Sequence, residues 1–321
     1  MRILSGIQPS GSLHLGNYFG AIEQFLNFQK SGAELFIFVA DLHALTTAKN
    51  PADLKRSIFE VAAAFIAFGL VDEKTTIYRQ SDVPETLELF WILSCLAPMG
   101  LLERAVSFKD KTVRGLDANV GLFNYPILQA ADILILQPDK VPVGKDQKQH
   151  LEITRDLAEK FNSQFGATLK LPEPEIPKKV AVVPGTDGEK MSKSYGNAIE
   201  IFAEESVLRK QIMRIKTDST AKGQPLDYAK CLVFQLFKLF ATAAEEKDLA
   251  EKYRNGEVGY GDAKQILFEK VLTKFGPARK KFQELQKNPS EVTKILEQGG
   301  AKARGEAAAN LAKIRTKIGL K

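Results

Sequence analysis

Two lysines and two serines interleave in Lys190-Met191-Ser192-Lys193-Ser194, just after the turn-forming stretch Pro184-Gly185-Thr186-Asp187-Gly188. Cations and hydroxyls on a loop suit a polyphosphate that is gripped and then released; a run of surface lysines would use the same residues without chemistry. Earlier, Gly6-Ile7-Gln8-Pro9-Ser10-Gly11-Ser12-Leu13-His14-Leu15-Gly16-Asn17-Tyr18 joins a short apolar run to an amphipathic pattern. Gly11 and Gly16 let backbone approach a ligand closely, and the helix start aims N–H groups at one point. The Gly11-x4-Gly16 spacing invites a P-loop reading, but Asn17-Tyr18 stand where Lys and Ser/Thr are needed.

Tyr125, Gln129 and Asp132 fall at i, i+4 and i+7 of the apolar run 125–136, on one helical face. Asp132 is its only carboxylate, and burying it requires a donor. That donor is either a ligand or an internal Arg, Lys or backbone group. Val141-Pro142-Val143-Gly144 is a strand entering a second glycine turn, and Lys145-Asp146-Gln147 opens the next helix. Asp146 reads either as an N-cap or as a ribose contact.

The elements that must hold these residues alternate. Strands are expected at Ile3–Leu4, Glu34–Ala40 and Thr75–Tyr78, and helices after Gly16, from Pro51 to about Phe68 and from Pro84 to about Leu96. Continuous apolar strands between helices mean an α/β doubly wound parallel sheet, whose ligands bind at the strands' carboxyl ends. Asp41 and His43 follow one such end. Beyond about residue 200 strand signals vanish, so we expect a catalytic domain at 1–199 and a helical domain at 200–321. The last helix is free to return to the first domain.

The chain has 321 residues, 44% hydrophobic and 26% charged, the composition of a globular protein. No eighteen-residue apolar run or signal pattern is present, which predicts a cytoplasmic protein with no membrane partner. Cys95 and Cys231 read as buried thiols. His14, His43 and His150 lie far apart, so no resident metal is expected. Of the net charge of +6, residues 301–321 hold six Lys/Arg against one Glu. That favours a polyanion such as RNA, or else a solvated helical tail.

Together, the segments 6–11, 14–18, 125–132, 141–150 and 190–194 resemble, in order, the motifs of the bacterial tryptophanyl-tRNA synthetase family of class I. His14-Leu15-Gly16-Asn17 is similar to the class I His-Ile-Gly-His signature with its last His replaced, and 190–194 matches Lys-Met-Ser-Lys-Ser. The resemblance implies a Rossmann-like catalytic domain that activates L-tryptophan with ATP and Mg²⁺ and then charges tRNA(Trp). It implies ATP contacts at Gln8, Pro9, Ser10, Gly16, Asn17, Gly144, Lys145, Asp146, Val183, Lys190, Met191, Ser192, Lys193 and Ser194. Lys193, Lys190, Ser192 and His14 are the catalytic candidates, with Lys193 meeting the departing charge.

For tryptophan it implies the indole N–H on Asp132, Tyr125 and Gln147 at the polar end, and Leu4, His43, Val141 and Val143 as walls, with Gln129 nearby. Tyr-x3-Gln-x2-Asp also resembles the pocket helix of tyrosyl-tRNA synthetases, so those three residues do not by themselves separate the two substrates. Gly-Ile-Gln-Pro-Ser-Gly and Val-Pro-Val-Gly-Lys-Asp-Gln favour tryptophan. A nucleotidylyltransferase shares the first turn but gives no reason for a basic helical domain, and a non-catalytic RNA-binding relative needs neither lysine. The family also implies a homodimer, with 87–102 supplying its apolar surface.

Overall fold

The computed structural model describes residues 1–104, 119–144, 148–175 and 183–320. Five parallel strands form one sheet: β1 (Arg2–Ile7), β2 (Glu34–Val39), β3 (Thr75–Arg79), β4 (Lys140–Pro142) and β5 (Glu173–Glu175), in the order β3-β2-β1-β4-β5. β1 pairs with β2 on one side and β4 on the other, so strand order reverses beside it. A crevice opens at such a reversal, outside the strands' carboxyl ends.

β2 is apolar throughout because both of its faces are covered. Leu35, Ile37 and Val39 point into one core, Phe36 and Phe38 into the other, as the two-residue period of a strand requires. β5 has no strand signal in Glu-Pro-Glu; it is an edge strand, where Pro is tolerated.

Asparagine side chains open two of the helices. Asn50 Oδ1 accepts from the Ala52 and Asp53 N–H groups at 2.9 and 3.4 Å to open Pro51–Ala67. Asn119 caps Val120–Leu136, which begins five residues before the expected Tyr125 and carries Pro126 inside it. The helix after Gly16 is not uniform. Leu15–Asn17 and Glu23–Lys30 are α-helical, and Tyr18–Ile22 between them is a π turn, a feature common at functional sites.

The core beneath the sheet runs without a break into the helical region of Glu205–Met213, Leu232–Phe237, Ala243–Arg254 and Tyr260–Lys287. Tyr18 meets Phe275 edge-on with centroids 4.7 Å apart. A boundary at residue 199 therefore separates types of element rather than cores.

Pro289–Ile318 packs on the opposite side, with Ala303, Ala307, Leu311 and Ile314 buried in the second core. Asn310 Nδ2 donates to the Ile135 carbonyl at 2.9 Å, Arg304 pairs with Glu85, and Arg315 pairs with Glu88. The basic stretch after residue 300 is thus neither a solvated tail nor a free cationic arm. Cys231 is buried, but Cys95 is exposed on the outer face of Glu85–Leu96, contrary to its sequence reading. Among the described residues no helix is long and apolar enough to cross a membrane.

Candidate active site

A cavity of about 440 Å³ opens at the crevice between β1 and β4. Leu4 and Gln8 line it from β1 and the first turn, His43 from the end of β2, Tyr125 and Gln129 from the Val120–Leu136 helix, and Val141, Val143 and Gly144 from β4. Segments far apart in the chain thus converge on one hollow. The π turn contributes Gly20 and Ala21 to the same wall. Gly6 must lack a side chain, because a Cβ there would stand 2.6 Å from the Phe38 ring that closes the cavity's side. Lys145, Asp146 and Gln147 lie outside the described residues.

The lysine-bearing loop faces the first turn. Gly11 has φ of 105°, and a Cβ on it would collide with Lys193 Nζ. Glycine is required there by its backbone, and the lysine amine lies directly over it. Short antiparallel pairing seats the turn on the far end of the loop: Leu15 N–H donates to the Ile199 carbonyl at 3.0 Å and Ile201 N–H to the Leu13 carbonyl at 3.0 Å. Asn17 Oδ1 accepts the His14 N–H at 3.0 Å and fixes the turn from within.

Lys190, Lys193 and Ser194 are exposed, and Ser192 Oγ lies 2.9 Å from Ser194 Oγ. Val183 and Met191 point inward, 5% and 4% exposed, and act as the loop's footing; little of either side chain is left for a ligand.

His14 is neutral at pH 7. Burial first, and then the Lys193 charge, bring its imidazole down to about 4. Its Nδ1 is buried beside Gly16 with no partner among the described residues. The positive charge at this turn belongs to Lys193.

Asp132 is 4% exposed and sits one side chain behind the cavity wall. Its partners are internal, and they are neither Arg nor Lys. Gln80 Nε2 lies 3.0 and 2.7 Å from its two oxygens, and His43 Nε2 lies 3.1 Å from Oδ2. Burial raises the carboxyl's pKa, and the His43 and Gln80 hydrogen bonds draw it back. On its other side Gln80 Oε1 accepts from the Leu42 and His43 N–H groups at 3.0 and 3.2 Å. One buried amide thereby fixes both the acid and the backbone of the imidazole that screens it. His150, on Lys148–Phe165, hydrogen-bonds the Tyr125 hydroxyl, so two of the three histidines flank that tyrosine.

Gln80 carries no motif and escapes a reading of the sequence alone. Gln80 follows β3, where a polar residue after Tyr78-Arg79 reads as the start of a loop. Asp41, which accepts from the Ser81 N–H and hydroxyl, is legible with His43 as a polar residue at the carboxyl end of β2, where such sheets bind ligands.

This geometry agrees with comparison to known proteins. Residues 1–276 match the family model described as tRNA synthetases class I (W and Y). The tryptophan–tRNA ligase of Campylobacter jejuni is 49% identical over 320 residues, covering all of both chains. That of Fusobacterium nucleatum is 48% identical over 99% of this chain and 98% of its own. The crystal structure of the Campylobacter jejuni tryptophanyl-tRNA synthetase complexed with ADP and tryptophan superposes with a TM-score of 0.94 over 99% of this chain and 100% of that one. With residues of the 6–11, 125–132 and 141–150 motifs lining the cavity and the lysine loop facing the first turn, the chain belongs to the class I aminoacyl-tRNA synthetases, in their bacterial tryptophan–tRNA ligase family.

Proposed function

We propose that this chain activates L-tryptophan with ATP and transfers the tryptophanyl group to tRNA(Trp) in the cytoplasm. The observation that carries the reading is Lys193 lying over Gly11, which sets a cation from the loop against the glycine turn beside a closed-sided apolar hollow. In the first step a carboxylate oxygen of tryptophan bonds to the α-phosphorus of ATP. The bond from that phosphorus to its bridging oxygen breaks, and pyrophosphate leaves. The protein's task is to align the two reactants and to meet the charge on the leaving group.

Gln8, Pro9, Ser10, Gly16 and Asn17 form the turn for the phosphates, with neutral His14 able to donate or accept one hydrogen bond there. Lys193 and Lys190, with Ser192 and Ser194, balance the charge that moves onto pyrophosphate. Gly144, Lys145 and Asp146 receive the adenosine, with Val183 and Met191 supporting the loop beside its base. Mg²⁺ would supply further charge neutralisation to the triphosphate held there.

The indole fills the hollow between Leu4, His43, Val141 and Val143. Tyr125, Gln129 and Gln147 serve its polar end, and Asp132 takes the indole N–H once the His43 imidazole that screens it turns aside. Phenylalanine would leave that acceptor without its donor, which is how such sites reject it. The helical region from residue 200 is the part suited to the anticodon. Two copies pair through Leu87, Trp91 and Met99, large apolar side chains exposed on consecutive helices; Trp91 is 67% exposed.

Exchange of labelled pyrophosphate into ATP tests the reading. It should depend on tryptophan and not on tyrosine, and the Asp132→Ala variant should lose selectivity between tryptophan and phenylalanine. Exchange driven by tyrosine would assign the pocket to the sister enzyme. No exchange with any amino acid, alongside retained RNA binding, would leave a binding protein.

A further inference from the structure

The loop that presents the two lysines is held by one buried amide. Asn197, three residues beyond Ser194, is 2% exposed. Its Oδ1 accepts the Ser192 N–H at 2.8 Å. Its Nδ2 donates to Asp187 Oδ1 at 2.8 Å and to the Lys190 carbonyl at 3.2 Å. Its own backbone carbonyl accepts the Thr186 N–H at 2.9 Å. Those partners stand at the loop's entrance, at its first lysine and at the serine between the lysines. An amide has two N–H donors, and both are engaged inside the loop.

Gly185 completes the arrangement. A Cβ there would collide with the Asn197 amide and lie 2.8 Å from the Asn197 Cβ. Gly185 is not among the glycines with positive φ. It is glycine because the amide is packed against it, and not because its backbone demands it.

We infer that Asn197, seated on Gly185, is the positioning residue of the lysine loop. It sets where the Lys190 carbonyl and the Ser192 N–H stand, and so where Lys193 is delivered over Gly11. It touches no substrate; it acts through Lys193. The inference rests on the reading of Lys193 as the group that meets the triphosphate.

Full-length Asn197→Asp and Gly185→Ala variants test it. Asn197→Asp keeps the side chain's shape but turns its two donors into an acceptor aimed at Asp187 and at the Lys190 carbonyl. Gly185→Ala displaces the amide without altering its chemistry. In tryptophan-dependent pyrophosphate exchange, each should lower kcat by about tenfold or more, the scale on which small misplacements act. Tryptophan affinity, measured by equilibrium dialysis, should stay within about twofold in both, because the cavity walls are untouched.

A double variant, Lys193→Ala with Asn197→Asp, should be no slower than Lys193→Ala alone, since two residues working as one unit do not add. Unchanged kcat in both single variants overturns the inference, as does a parallel loss of tryptophan affinity. Losses that multiply in the double variant overturn it too, because they would make Asn197 independent of Lys193. If Lys193→Ala itself exchanges at the wild-type rate, the underlying reading fails. If only Lys193→Ala is slow, the positioning role alone is wrong.

Discussion

A neutral imidazole and an ammonium face the same glycine turn, and they do different things there. Lys193→Ala should slow adenylate formation by about a hundredfold or more while leaving tryptophan affinity near its normal value. Single-turnover kinetics at saturating ATP decide this, and an unchanged rate would remove the charge role. His14 makes a prediction about stability. Unfolded, it takes up a proton near 6.5; folded, only near 4. The unfolded state therefore binds more protons between those values, so the stability is complete above about 6.5 and is lost as pH falls toward 4. Urea midpoints followed over that window should fall more steeply in the native chain than in His14→Gln, by at most about 3 kcal/mol given its partial exposure. The lysines, the glycine turn and the tyrosine were legible in the sequence because few contexts bring such residue types together. Gln80 and Asn197 were not, because an amide announces nothing until its partners are known. For Gln80 the acid it holds is 52 positions away.

Among the elements, β2 was readable from its unbroken apolar run, β1 from Ile3-Leu4 ahead of the glycine turn, β3 from the β-branched and aromatic residues of Thr75–Tyr78, and Pro51–Ala67 from its Asn-Pro start. β5 was not, since an edge strand of Glu-Pro-Glu gains its pairing from β4 rather than from its own propensity. The π turn was also hidden: its apolar spacing differs from that of an α-helix by one residue over a single turn. Pro289–Ile318 was legible as a helix, with its return to the first domain left open. Its Gly299 lies so near the Ile77 backbone of edge strand β3 that a Cβ would strike the Ile77 carbonyl. Gly299→Ala should improve local helix propensity and yet destabilise the protein by about 2 kcal/mol or more, since the clash is with backbone that cannot turn aside. A stabilised variant in urea unfolding would show that the helix stands off from the strand.

At the scale of the molecule, two cores share one sheet, and the helical region is continuous with the lower of them. Large apolar side chains remain outside on Glu85–Leu96 and Met99–Glu103, with Trp91 the most prominent. Trp91→Glu should convert a dimer into monomers in sedimentation velocity without altering the far-ultraviolet circular dichroism. A native chain already monomeric at micromolar concentration would contradict the pairing. The charge of residues 301–321 suggests removing them to test RNA binding, but that deletion is a poor probe, because it strips four buried residues from the upper core.

The covering of β3 by Pro289–Ile318 bears on how the protein is made. A nascent chain leaves the ribosome amino end first, so β3 emerges long before the helix that shields its outer border. Until that helix arrives, the border offers unpaired backbone to any passing strand, the circumstance in which chains associate wrongly. A message cut short ahead of codon 289 therefore yields a sticky fragment rather than a smaller enzyme.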